Sequence, residues 1–232
     1  MKKNRTMRVA VLLLALTLIT SCFVGGTFAK YTTADSAADN ARVAKWGVEV
    51  VADGSDFFKT EYKNPAESAI TVHAASDDLV APGTSGQTTF TIGGTPEVAT
   101  QVLLNVTTAK DIFVKAGTYG QYVVANDYNP IKWTLTVDDN GTEVTIAENV
   151  SLAVLQTIVD TYMAGATFYA PHETLDATFT LSWSWAFNGQ DNAGDTVLGN
   201  LAQDPAYYGE LAAGTFCTEV AYDFTITVEQ VD

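Results

Sequence analysis

The sequence predicts an all-β fold: an antiparallel, jelly-roll-like β-sandwich with one inserted helix, preceded by a signal peptide and an extended N-terminal arm. Short segments of alternating apolar and polar residues recur from Val43 to the C-terminus. Glycine-, asparagine- and proline-based turns separate them, and only one stretch has helical periodicity. The implied organisation is a signal peptide over 1–29, an arm over 30–42 and the sandwich over 43–232, with its helix near 151–163.

The first strand is expected over Val43–Val51, followed by short alternating strands at Ala69–His73 and Thr88–Ile92. Between these two, Pro82-Gly83 predicts a tight turn. Val98–Val106 is a further strand, with weaker candidates near Ile112–Val114 and Tyr122–Val124. The clearest hairpin joins Ile131–Val137 to Thr142–Ile146. Ile131, Trp133, Leu135 and Val137 share one face, and Asn140-Gly141 supplies the positive φ angles of its turn. Ser151–Met163 places Leu152, Leu155, Val159 and Tyr162 on one helical stripe, with Asn149 or Ser151 as cap and Gly165 as stop. Thr178–Phe187 is the most regular strand: Phe179, Leu181, Trp183, Trp185 and Phe187 alternate with small residues. Asn188–Gly199 is expected to be a loop, and Tyr222–Val228 the last strand.

The N-terminal segment carries an export signal. Lys2, Lys3, Arg5 and Arg8 precede the apolar run Val9–Ile19, which is shorter than the roughly 20 residues needed to span a bilayer. Thr27-Phe28-Ala29 offers small residues at the two positions a signal peptidase inspects. Cleavage between Ala29 and Lys30 would leave 203 of the 232 residues and discard four basic side chains but no acid. The remaining chain carries 8 Lys and Arg against 27 Asp and Glu, a formal net charge of −19. Such acidity excludes nucleic acid as a partner, disfavours adhesion to anionic lipid, and suits solubility outside the cell. Ile19-Thr-Ser-Cys22 also fits the lipobox of bacterial lipoproteins, so acylation of Cys22 is the competing reading. The membrane is then a partner only before processing or through that lipid. With Cys22 removed, Cys217 has no disulfide partner within the chain, and the domain must rely on its core.

No catalytic constellation appears. His73 and His172 sit in no zinc-binding helix motif, and no nucleophile elbow, phosphate loop or dinucleotide fingerprint is present. Neither catalytic residues, nor a metal site, nor a cofactor is therefore expected. Phe179, Trp183, Trp185 and Phe187 fit the core face of a sandwich better than a sugar-stacking platform. Asp191–Asp195 has oxygen ligands suited to calcium but lacks the spacing of an EF-hand loop, so turn formation is the expectation.

Three segments bring a family into view. Gly25-Gly-Thr-Phe-Ala-Lys-Tyr31 resembles the export signal handled by SipW-type signal peptidases of Gram-positive bacteria. Leu79-Val-Ala-Pro-Gly-Thr-Ser-Gly86, followed by Thr89–Ile92, resembles the early sandwich of the TasA/camelysin family. Trp183-Ser-Trp185 with the acidic loop to Asp195-Thr-Val-Leu-Gly199 is similar to a late strand and loop of its clostridial members.

The resemblance implies a secreted jelly-roll subunit of extracellular matrix or cell-surface fibres. Its partners are further copies of itself, an accessory or anchoring subunit, and the signal peptidase during export. Assembly is then head-to-tail, each processed arm completing the sheet of the next copy. Here the donor starts at Lys30, Tyr31, Thr32, Thr33 and Ala34, with Tyr31 as its anchor. Asp35 and Asp39 give this arm only modest β-propensity. The alternatives are a lipoprotein module binding glycans through exposed aromatics and a camelysin-like metallopeptidase, for which the chain offers no zinc motif.

Overall fold

The computed structural model describes residues 42–53, 57–62, 71–74, 78–165, 168–188 and 191–231. The chain divides into two units, Met1–Lys45 and Trp46–Asp232. Of the first, only 42–45 are described, and Arg42 there donates from Nη1 to the Val43 carbonyl oxygen. The signal segment, Cys22, the Ala29–Lys30 junction and the arm residues Tyr31, Thr32, Thr33 and Ala34 lie outside the described residues.

In chain order the second unit holds β1 (Val48–Ala52), β2 (Glu61–Tyr62), β3 (Val72–His73), β4 (Ser85–Gly94), β5 (Thr100–Lys110), β6 (Phe113–Val114), β7 (Gly117–Tyr119), β8 (Tyr122–Val124), β9 (Ile131–Asp139) and β10 (Thr142–Val150). Helix α1 (Leu152–Met163), β11 (Phe168–Tyr169), β12 (Leu175–Trp185), helix α2 (Asn192–Gln203), β13 (Phe216–Cys217) and β14 (Ala221–Gln230) follow. Among the described residues the result is a mixed fold of several antiparallel sheets and two helices. This corrects the expectation of an all-β chain with one helix, because the segment expected to be a loop after Asn188 contains α2.

The largest sheet has the order β1-β4-β12-β9-β10, and a three-stranded sheet has the order β11-β5-β14. Register places Phe179 opposite both Phe90 and Val137, Leu181 opposite Leu135, and Trp183 opposite Trp133. That face is buried, while Thr180 lies between Thr89 and Thr136 on the other. Period-two patterning thus drives one face of each central strand into the core. The smaller sheet contributes Val102, Leu104 and Val106 to the same buried cluster. Ring contacts join the two sheets: Phe90 with Phe224 at 5.0 Å between centroids, and Trp133 with Tyr222 at 5.1 Å.

Three backbone features locate these elements. Gly47, at φ +57°, accepts a bond from Thr95 N–H at its carbonyl, so β1 starts at Val48 rather than Val43. Asn140 and Gly141 both have positive φ, as their two-residue hairpin requires. Gly86 lets Trp183 cross it: a side chain there would collide with the Phe57 carbonyl, to which Trp183 Nε1 donates at 3.0 Å.

Helix α1 follows from most of its expected stripe: Leu152, Leu155 and Val159 are fully buried while Tyr162 is exposed, and Ser151 is its N-cap residue. Helix α2 buries Val197, Leu198 and Leu201. No helix among the described residues is long and apolar enough to cross a membrane.

Candidate functional site

Strand edges are the first feature capable of recruiting another chain, because an unpaired edge offers a row of main-chain donors and acceptors. Along its ten residues β14 pairs with β5 on one side, and its other side has no strand partner among the described residues. Asp223, Thr225, Thr227 and Glu229 are its exposed side chains, alternating with Phe224, Ile226 and Val228, which pack on the core. β1 is the shorter edge of the large sheet, and Val50 and Val51 on it are exposed.

The remaining edges are interrupted. β10 carries two register shifts, between Thr145 and Ala147 and again before Val150. On the second side of β5, β11 pairs with Thr100 and Gln101 only. Helix α1 packs against β5 further along, where Leu104 N–H donates to Met163 Sδ at 3.0 Å.

A second feature lies at the start of α2. Asp191 is the N-cap, and its Oδ1 accepts from the backbone N–H of Ala193 and Gly194, both at 3.0 Å. Asp195, in the first turn, accepts through Oδ1 from Tyr128 O–H at 2.7 Å and from Trp185 Nε1–H at 2.9 Å. Gly194 makes room for this, since a side chain there would strike the Tyr128 ring. Burial pushes the Asp195 carboxyl above its usual range against the lowering pull of Tyr128 and Trp185. Burial, then the bond to Asp195, raises the Tyr128 phenol.

Asp195 faces a cleft of about 600 Å³ between the segment before β4, helix α2 and the residues leading into β14. Its walls include Phe58, Leu79, Pro82, Ile112, Leu198 and Val220.

The other sequence candidates are placed as follows. Asp191 and Asp195 form the cap and first turn of a helix rather than a free loop. Among the described residues no group of three or more His, Cys, Asp and Glu side chains is arranged to hold a metal. Phe179, Trp183 and Trp185 are buried, while Phe187 lies beyond β12 and is exposed. His73 is exposed in β3 opposite Glu61, and His172 occupies a left-handed turn, its N–H donating to the Pro96 carbonyl. Cys217 is a free thiol in β13.

The Tyr128–Asp195–Trp185 cluster was hidden from sequence reasoning because Tyr128 lies 67 residues before Asp195, although Trp185 is only ten residues away. The one available signal was Asp191 and Asp195 at helical cap spacing before Val197, Leu198 and Leu201. The chain matches no protein-family profile and no curated protein.

Proposed function

We propose that this chain is a secreted structural subunit of extracellular matrix or cell-surface fibres. Its two larger sheets then form a jelly-roll-like sandwich. The processed arm beginning at Lys30 adds to an open sheet edge of the next copy, with Tyr31 as its anchor. The observation that carries this reading is the ten-residue β14, hydrogen-bonded along one side only among the described residues. Strand addition there makes main-chain bonds without needing particular side chains. A head-to-tail contact of this kind does not close on itself, so it propagates as a filament. The resemblance to the TasA/camelysin family supports the same assembly, with signal peptidase cleavage after Ala29 as the trigger. The stripe at Phe179, Trp183 and Trp185 is buried, so a glycan-binding module would have to use exposed aromatics elsewhere, such as Phe168, Phe187 or Tyr207.

Negative-stain electron microscopy of residues 30–232 and 43–232 tests the proposal. The longer chain is expected to give filaments, and the shorter a folded protein, by circular dichroism, that stays monomeric. Filaments from the shorter chain would overturn arm donation.

A further inference from the structure

We propose that the cleft beside Asp195 is a binding site for a primary ammonium group carried on an apolar or aromatic body. Its volume of about 600 Å³ is that of a small-organic-ligand site. Apolar side chains line most of it, and its charged members, Asp78, Asp195 and Glu219, are all acidic. Lys110 pairs with Glu219 at the exposed surface. No basic side chain among the described residues pairs with Asp78 or Asp195.

Asp195 is held for this task. Both of its donors, Tyr128 O–H and Trp185 Nε1–H, bind the same oxygen, Oδ1. Oδ2 has no hydrogen bond among the described residues and is not sealed off from solvent. A carboxylate fixed through one oxygen, with acceptor capacity left on the other and lining a largely apolar cleft, is complementary to an ammonium group and its three donors. Anchoring α2 alone would account for Oδ1 but not for the cleft that Asp195 lines.

The ammonium has two sources. One is a free amine. The other, which rests on the fibre reading, is the processed N-terminus of a second copy, which would begin with an α-amino group on Lys30 followed by Tyr31. Thr218, Glu219 and Val220 line the cleft and Ala221 opens β14, so a strand added to that edge would reach the cleft at one end.

Calorimetric titration of the purified exported protein tests the site, with phenethylamine and its neutral analogue 2-phenylethanol as probes. Phenethylamine should bind, and the alcohol should bind at least about tenfold more weakly. Asp195→Asn retains an oxygen acceptor for Tyr128 and Trp185, and should weaken amine binding by about tenfold or more with an unchanged circular dichroism spectrum. Ala202→Phe, at an exposed helix position on the cleft wall, should block binding without touching the core. Equal binding of alcohol and amine, undiminished binding by Asp195→Asn, or no binding of any amine-bearing probe would overturn the proposal.

A peptide of residues 30–42, with its α-amino group free or selectively acetylated and the Lys30 side chain unmodified, separates the sources. Asp195-dependent binding of the free peptide identifies the N-terminus, and binding of phenethylamine alone identifies a free amine. Filaments formed by an Asp195→Asn protein that no longer binds amines would leave the fibre reading intact.

Discussion

Tyr128, Tyr169 and Tyr222 carry phenols that folding holds in the protonated state. Burial is the leading cause at each, reinforced at Tyr169 by Asp139, whose Oδ2 accepts from the phenol at 3.3 Å. Tyr169 is pushed from 10.0 to about 12, and the other two move in the same direction. Above the unfolded value the unfolded chain sheds these protons first, so the native state binds more protons and stability falls as pH rises. Their contribution is fully present below about pH 10 and is lost as pH climbs through the folded values. Urea midpoints measured between about pH 8 and 11 should therefore drop steeply at the alkaline end. Tyr169→Phe should make that drop shallower; an unchanged slope would mean that Tyr169 ionises as easily in the fold as in the open chain.

Among elements, α2 rests on its first turn more than on its composition. Glycine and asparagine, at Asn192, Gly194, Gly199 and Asn200, are poor helix formers. What holds the helix is the Asp191 cap, with its two backbone bonds, and the burial of Val197, Leu198 and Leu201. Asp191→Ala should cost about 1 kcal/mol of stability, read as a lower urea midpoint. Calcium or a chelator should leave the wild-type midpoint unchanged; a clear rise with calcium would reassign the Asp191 carboxylate to a metal site.

The same contrast explains what could be read in advance. The hairpin of β9 and β10 was legible because Asn140-Gly141 admits positive φ between two patterned strands, and α1 because its stripe recurs at helical spacing. α2 was not legible, because its Gly- and Asn-rich composition is that of a loop until tertiary packing overrides it. β4 extends through Gly86, Gly93 and Gly94, which weaken any strand signal; Gly86 is there to admit Trp183. The Asp195 cluster was beyond reach, since Tyr128 and Asp195 are 67 residues apart. β14 was recognisable as a strand, but which side of it stays unpaired is a property of sheet order alone.

At the scale of the whole molecule, charge opposes the strand addition proposed for the edge of β14. The full chain carries a formal net charge of −15, and removal of residues 1–29 makes it more negative. Two copies of such a chain repel at a distance whatever their edges offer on contact, and Asp223 and Glu229 place two of those charges on β14 itself. The main-chain bonds of strand addition are short-ranged and depend little on salt, whereas the repulsion is screened once the Debye length shrinks from about 30 Å at 0.01 M salt to about 8 Å at 0.15 M. Salt should therefore act on the rate at which copies meet rather than on the bonds they form. Filament growth of residues 30–232, followed by light scattering, should be slow at low ionic strength and accelerate towards physiological salt, while the filaments once formed survive dilution into low salt. Faster growth at low salt would mean that ion pairs, not an added strand, hold the copies together, and would move the search for the interface from the edge of β14 to the few basic side chains on the surface.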